Sequence, residues 1–74
     1  MIKTSRKRQN FTQRDLARKT GLSQGYISKL ENINKVFHSP TITQIISIAS
    51  ALKIDIYKLS KWFIDKELRG SKNE

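Results

Sequence analysis

The chain has 74 residues and no cysteine, and its 15 lysine and arginine residues against 6 aspartate and glutamate residues give a net charge of +9. This length allows one domain, and the lack of cysteine excludes disulfides and thiolate metal sites. The fold must therefore be stabilised by apolar packing. The lack of cysteine suits a reducing cytoplasm, where we expect the protein to be located. With one histidine and no carboxylate pair at catalytic spacing, we expect no enzyme activity, no metal and no cofactor.

The positive charge is concentrated in the first half of the chain. Residues 1–37 hold nine basic and two acidic side chains, whereas residues 38–74 hold six and four. Clustered positive charge attracts polyanions such as nucleic acid, although charge alone leaves a membrane surface or an acidic protein open as partners. The most apolar stretch, residues 42–56, is interrupted by six polar residues and is too short to span a bilayer, so we expect no membrane contact.

Five helices are predicted in chain order, and the first covers about residues 2–9. The second begins at Thr12, a capping residue, and Asp15 stands where a capping box places an acid. It ends at Gly21, the residue type that most often ends a helix in the left-handed conformation. The third begins at Ser23 and runs to about residue 31 or 32.

The fourth helix begins at Thr41, with Gln44 in the position that completes a second capping box, and runs to residue 53. Its apolar residues recur at helical spacing, which indicates a buried core helix. The fifth begins at Asp55 and runs to about residue 66, followed by a polar tail over residues 67–74. Apolar pairs five residues apart flank three of the helix starts and predict tight corners. These pairs are Phe11 with Leu16, Leu22 with Ile27, and Ile54 with Leu59.

The third helix should present a polar face to solvent. Leu22, Ile27 and Leu30 direct its apolar side to the core, so the opposite side carries Gln24, Gly25, Ser28 and Lys29. Glutamine can pair with adenine and lysine can donate to guanine, so we expect these four residues to contact bases in the DNA major groove. An ordinary solvated helix surface is the alternative.

Groups at the starts of the second and third helices should contact phosphates, because backbone N–H groups point outward there and attract anions. Gln13 and Ser23 occupy these starts. Charge or hydrogen bonds to phosphates are also expected from Tyr26, Asn32, Lys35 and Lys19. Such contacts position a protein without reading sequence.

An ion pair is predicted between Arg6 and Glu31, because an unpaired charge beside apolar positions would be expensive to bury. The pair would tie the first helix to the end of the third. Two separate exposed charges are the alternative.

The chain resembles the phage-repressor-type helix-turn-helix family, also called lambda repressor-like or xenobiotic-response-element type. The resemblance covers about residues 2–64. The residues that carry it are Phe11-Thr12-Gln13, Leu16-Ala17, Gly21-Leu22-Ser23, Ile27-Ser28, Leu30-Glu31-Asn32, Pro40-Thr41-Ile42, Ile45-Ile46, Ile48-Ala49, Ala51-Leu52 and Ile54.

The resemblance implies an all-α, compact five-helix DNA-binding domain over residues 1–66, with the helix-turn-helix at helices 2 and 3. In the family, the equivalents of Gln24, Gly25, Ser28 and Lys29 face bases. The equivalents of Gln13, Ser23 and Asn32 touch phosphates, and those of Arg6 and Glu31 form a salt bridge. Such proteins bind two-fold operators as dimers.

Two features depart from the family pattern. Ser5 stands where the family usually has a buried leucine, so the first helix is expected to pack weakly. The segment of residues 32–39 is longer than the usual loop, which leaves open whether it covers the core edge or lies against the DNA backbone.

The fifth helix contains Trp62-Phe63-Ile64, and three consecutive residues cannot all face one side of a helix. We expect Trp62 and Phe63 to form a homodimer contact, with closure of the core as the alternative. The predicted function is a sequence-specific regulator of transcription that binds double-stranded DNA as a dimeric repressor, with no small-molecule ligand evident. A protein-interaction module, such as an antitoxin or a partner-dependent regulator, is the alternative.

Overall fold

A computed structural model describes residues 1–32 and 39–71. Five helices, and no strand, occur in these residues: α1 (Ile2–Arg8), α2 (Gln13–Thr20), α3 (Gln24–Glu31), α4 (Ile42–Leu52) and α5 (Ile56–Ser71). The predicted all-α, five-helix fold is confirmed. The fifth helix runs on to Ser71, so the segment expected to be a tail from residue 67 is helical over that stretch. Within the described part of the chain, none of the helices is both long and apolar enough to cross a membrane.

Local hydrogen bonds fix the starts of α2 and α3. Thr12 Oγ1 accepts from the backbone N–H of Asp15 at 3.0 Å, and the Asp15 carboxylate accepts from the N–H of Thr12 at 2.9 Å. The predicted capping box is therefore present. Gly21 ends α2 with φ +75°, a conformation that costs glycine no steric strain. Ser23 Oγ then accepts from the N–H of Tyr26 at 3.1 Å, which starts α3 two residues after the turn.

The core takes one face from each helix. Its fully buried side chains are Ile2, Leu16, Ile27, Leu30, Ile48, Leu52 and Leu59. Burial of one such aliphatic side chain contributes about 1.5–3 kcal/mol relative to leaving it in water. Helix α3 packs mainly on α2 and also on α1, while α4 packs on α2 and α5. The short helices therefore derive their stability from this shared core rather than from their own length.

Helix α1 enters the core through Ile2, Ser5 and Arg6, all of which are buried. Ser5 is thus enclosed in spite of its polar side chain. The expectation that it leaves α1 weakly packed stays a prediction.

Phe63, for which a dimer contact is predicted, lies mostly in the protein's own core, and its ring is only 4% exposed; the dimer contact stays a prediction. It makes an edge-to-face contact with Trp62, with ring centroids 4.8 Å apart. Trp62 is half-buried and packs against the same core. Of the three consecutive apolar residues, Ile64 is the exposed one.

Lys53 ends α4 in the left-handed conformation, with φ +56° and ψ +43°. A side chain with Cβ is strained there, whereas glycine is not. We expect Lys53→Gly to stabilise the protein by about 1 kcal/mol and to raise Tm by about 4–8 °C in a thermal melt followed by circular dichroism. Lys53→Ala is the control, because it keeps Cβ and should bring no comparable gain. Equal gains from both variants would contradict the backbone explanation.

Candidate nucleic-acid interface

Four positions of α3 form a single exposed surface, which we call the reading face: Gln24, Gly25, Ser28 and Lys29. All four are exposed, whereas Ile27 and Leu30 of the same helix are completely buried. Residues four apart lie on the same side of a helix, so Gln24 stands above Ser28 and Gly25 above Lys29. The structure therefore brings together the four residues that were expected to contact bases.

Gly25 is not required by the packing of the protein itself. A Cβ atom placed on it would meet nothing within 4 Å. Glycine costs a helix about 0.5–1 kcal/mol relative to alanine, so its presence on the reading face has no explanation inside the fold. The missing side chain does allow another molecule to approach the helix backbone closely.

The start of α2 lies beside the reading face. Gln24 shares a shallow depression with Asn10, Thr12, Gln13 and Arg14. Both Asn10 and Arg14 are exposed, and neither was singled out from the sequence. The signal available for Arg14 was a basic residue next to Gln13 in the first turn of a capped helix. This depression thus adds a cation to the edge of the reading face.

The residues expected at phosphates fall into different surroundings. Gln13 donates from Nε2 to Glu31 Oε1 at 3.0 Å, which uses one of its two amide hydrogens. Ser23 is exposed at the start of α3, and Asn32 is exposed at its end. Gln13 and Ser23 thus flank the reading face at the two helix starts.

Two other residues in this group have partners inside the protein, and a third falls in the segment that is not described. Tyr26 donates its hydroxyl proton to Gln44 Oε1, with the two oxygens 3.2 Å apart. The Lys19 ammonium lies 4.8 Å from the centre of the Phe11 ring, in a separate depression lined by α4 residues such as Ser50. Lys35 lies outside the described residues.

Behind the reading face, the structure brings Arg6 and Glu31 together. Arg6 Nε donates to Glu31 Oε2 at 2.7 Å and Nη2 donates to Oε1 at 3.1 Å. The side chains are only 9% and 4% exposed. Arg6 Nη1 also donates to the carbonyl of Phe11 at 2.7 Å. One buried ion pair therefore joins α1, the turn before α2 and the end of α3.

Opposing effects act on the Glu31 carboxyl. Burial raises its pKa. Hydrogen bonds from Arg6 and Gln13, together with the positive charges of Arg6 and Lys3, lower the pKa by more than burial raises it. The net result is a pKa below the ordinary value of 4.5. Glu31 is therefore ionised at neutral pH, as a partner for a guanidinium must be.

A family model described as helix-turn-helix matches residues 2–59, from α1 into the first turn of α5. The chain belongs to the helix-turn-helix family. The lambda repressor-like resemblance is confirmed, and this helix-turn-helix chain carries the fold of DNA-binding transcriptional regulators. Neither a curated protein nor a solved structure matches the chain.

The buried ion pair predicts a pH-dependent stability. A carboxyl whose pKa is lowered by folding stabilises the protein fully above its unfolded pKa, and that contribution is lost as pH falls through the folded value. We expect Glu31→Gln to lower the free energy of unfolding by about 2 kcal/mol at pH 7. The gap to wild type should shrink as pH falls below about 4.5.

Urea unfolding of both proteins between pH 7 and pH 3 measures this gap. Asp65→Asn is the control, because the Lys61–Asp65 pair is exposed and should contribute less than about 1 kcal/mol at any pH. A gap for Glu31→Gln that stays constant over the whole range would contradict the role given to the carboxylate charge.

Proposed function

We propose that this helix-turn-helix protein is a sequence-specific regulator of transcription, a repressor, that inserts α3 into the major groove of double-stranded DNA. The observation that carries the proposal is the reading face, with its four exposed positions set opposite the buried Ile27 and Leu30. An α-helix with its side chains is about 10–12 Å in diameter, and the major groove is about 12 Å wide.

The side chains on this face suit base recognition. Gln24 can make paired hydrogen bonds to adenine, and Lys29 can donate to guanine O6 and N7. Ser28 can donate or accept, and Gly25 lets the backbone approach the bases. The protein's own fold uses none of the three side chains of this face in its core, so they are available to a ligand.

Groups around the reading face suit the DNA backbone. Arg14 and Gln13 at the start of α2, and Ser23 at the start of α3, lie where phosphates would flank a helix in the groove. The first half of the chain also has a high positive charge, with basic residues in α1, α2 and α3. Such contacts would supply affinity that falls with salt concentration and would fix the register of α3. Tyr26 and Lys19 have other partners and are not part of this proposal.

A homodimer belongs to the proposed function, and we assign it to an apolar groove between the start of α4 and the second half of α5. The groove is lined by Ser39, Pro40, Ile42, Ile45, Ser60, Phe63, Ile64, Glu67 and Leu68. Ile42, Ile64 and Leu68 are each more than half exposed. Large exposed aliphatic residues on one surface are typical of an interface.

Charge favours a second copy of the chain as the occupant of this groove. The protein has a net charge of +9, so most approaches of two copies are repulsive. Among the described residues that line the groove there is no lysine or arginine, and there is one glutamate. Two copies can therefore meet here with little repulsion. Because Leu68 takes part, we extend the proposed domain from residue 66 to residue 71.

The proposed function is tested by selecting bound duplexes from a random pool and measuring their affinities against unrelated duplexes at several salt concentrations. We expect the selected duplexes to share a two-fold symmetric sequence and to bind more tightly than unrelated ones. Equal affinity for all duplexes at every salt concentration would overturn the proposal.

Base and phosphate contacts should respond differently to mutation. We expect Gln24→Ala and Lys29→Ala each to reduce the binding free energy for the selected duplex by about 1–3 kcal/mol. Each should also relax discrimination at one base pair. Arg14→Ala should weaken binding to all duplexes by the same factor and reduce the slope of log K against log salt by about 1. Lys58→Ala is the control, because it removes an exposed charge from α5, away from the reading face.

Fluorescence anisotropy titrations with selected and unrelated duplexes measure these effects. If Gln24→Ala and Lys29→Ala weaken both kinds of duplex equally, these residues do not read bases. If Lys58→Ala has the same effect as Arg14→Ala, the depression beside Gln24 has no special role.

The groove predicts which substitutions disrupt the dimer. Ile64→Ser and Leu68→Ser should each raise the dimer dissociation constant at least tenfold in sedimentation equilibrium, because each removes apolar contact area at the groove. Tyr57→Ser is the control, since Tyr57 is 82% exposed on the same helix but outside the groove. A wild-type chain that stays monomeric at all concentrations would exclude a second copy and would favour a different protein partner.

A further inference from the structure

The Tyr26 side chain reaches from α3 to the first turn of α4. Its hydroxyl donates to Gln44 Oε1, with the oxygens 3.2 Å apart. The ring is half-buried and packs against the core. Tyr26 follows Gly25 of the reading face directly, so a contact at this point acts on the part of α3 nearest to the DNA in the proposed complex.

Both partners in this contact are held by helix caps. Gln44 Oε1 also accepts from the backbone N–H of Thr41 at 2.9 Å, and Thr41 Oγ1 accepts from the N–H of Gln44 at 3.1 Å. On the other side, the N–H of Tyr26 donates to Ser23 Oγ at 3.1 Å. The hydroxyl therefore links the start of α3 to the start of α4, and its two side chains are held by the α4 cap at Gln44 and by core packing at Tyr26.

The chemistry of the hydroxyl separates this role from phosphate binding. A tyrosine hydroxyl has one proton, and a phosphate oxygen needs a donor. Burial raises the pKa of Tyr26, so the group stays protonated at neutral pH and its proton is directed to Gln44. The phosphate contact expected for Tyr26 from the sequence does not fit this arrangement.

The packing of α3 indicates what the link controls. Ile27 and Leu30 are buried on the side of α3 that packs on α2 and α1. The bond from the Tyr26 hydroxyl also connects α3 to α4, a third helix. Paired hydrogen bonds to a base edge require accurate placement of the donor, so a small tilt of α3 would weaken them.

We propose that Tyr26 is a positioning residue, which acts through Gln44 to set the orientation of the start of α3 and with it Gln24 and Gly25. The proposal rests on the proposed function as far as its effect on base recognition is concerned. Its effect on α3 in the free protein does not depend on that function.

The variants are Tyr26→Phe, which removes only the hydroxyl, Gln44→Met, which keeps the length of the side chain but removes the acceptor, and the double variant. Thr41→Ala is the matched control, because it weakens the cap of α4 but leaves Tyr26 and Gln44 able to bond. All four proteins are compared with wild type at a temperature where thermal melts show each to be folded.

On DNA, we expect Tyr26→Phe and Gln44→Met each to weaken binding to the selected duplex by about three- to tenfold, the range for one hydrogen bond. Binding to an unrelated duplex should change by less than about twofold, because phosphate contacts persist. The double variant should be no weaker than the weaker single variant. Losses that multiply in the double variant, or that are equal on both duplexes, would overturn the proposal in favour of a direct backbone contact.

In the free protein, amide hydrogen exchange of α3 gives an independent result. We expect Tyr26→Phe and Gln44→Met to speed the exchange of α3 amides by similar factors, beyond any change seen in Thr41→Ala. Exchange no faster than in the control would overturn the proposal. If wild type prefers no duplex, the proposed function fails, whereas the exchange result still decides whether Tyr26 holds α3.

Discussion

The structure depends on the ion pair between Arg6 and Glu31. Both charges are almost fully removed from water, and a buried charge without a partner costs several kcal/mol. This cost is offset only when α1, the turn at Phe11 and the end of α3 are in their observed places. Arg6 of α1 bonds to the carboxylate at the end of α3 and to the carbonyl in the turn. Gln13 donates to the same carboxylate. The pair therefore favours one arrangement of the segments that surround the reading face.

The contacts that hold α3 in the domain are made by groups other than the reading face, which α3 exposes to solvent. Its apolar side, its N-terminal cap and the ion pair at its C-terminal end fix the helix in place. The apolar groove of α4 and α5 lies on residues that take no part in these contacts. In the proposed function, DNA binding and self-association would thus use different surfaces of a chain with only 74 residues.

The sequence predicted the helix starts well because capping is local. Thr12 with Asp15 and Thr41 with Gln44 bond three residues apart, and Gly21 shows its turn by residue type alone. The end of α5 was missed because most residues after Lys66 are polar, although Glu67, Leu68 and Arg69 are of types that favour helix. The sequence left open which of residues 62–64 enters the core because all three are apolar, and the packing of α5 on α4 decides it.

Within the candidate site, the reading face followed from periodicity, since the buried positions of α3 define its opposite side. The tie from Tyr26 to Gln44 could not be predicted, because its partners are 18 residues apart and meet only when α3 and α4 have both packed on α2. Arg14 was missed for a different reason. Its place at a capped helix start is the only signal in the sequence, and its position beside Gln24 is visible only in three dimensions.

The exposure of the reading face has a consequence for how this scaffold can diversify. Because Gln24, Ser28 and Lys29 lie outside the core cluster, replacing them should leave the free energy of folding within about 0.5 kcal/mol of its present value. Under the proposed function, new target sequences would therefore be acquired by exchanging a few surface side chains, without first finding compensating changes in the interior.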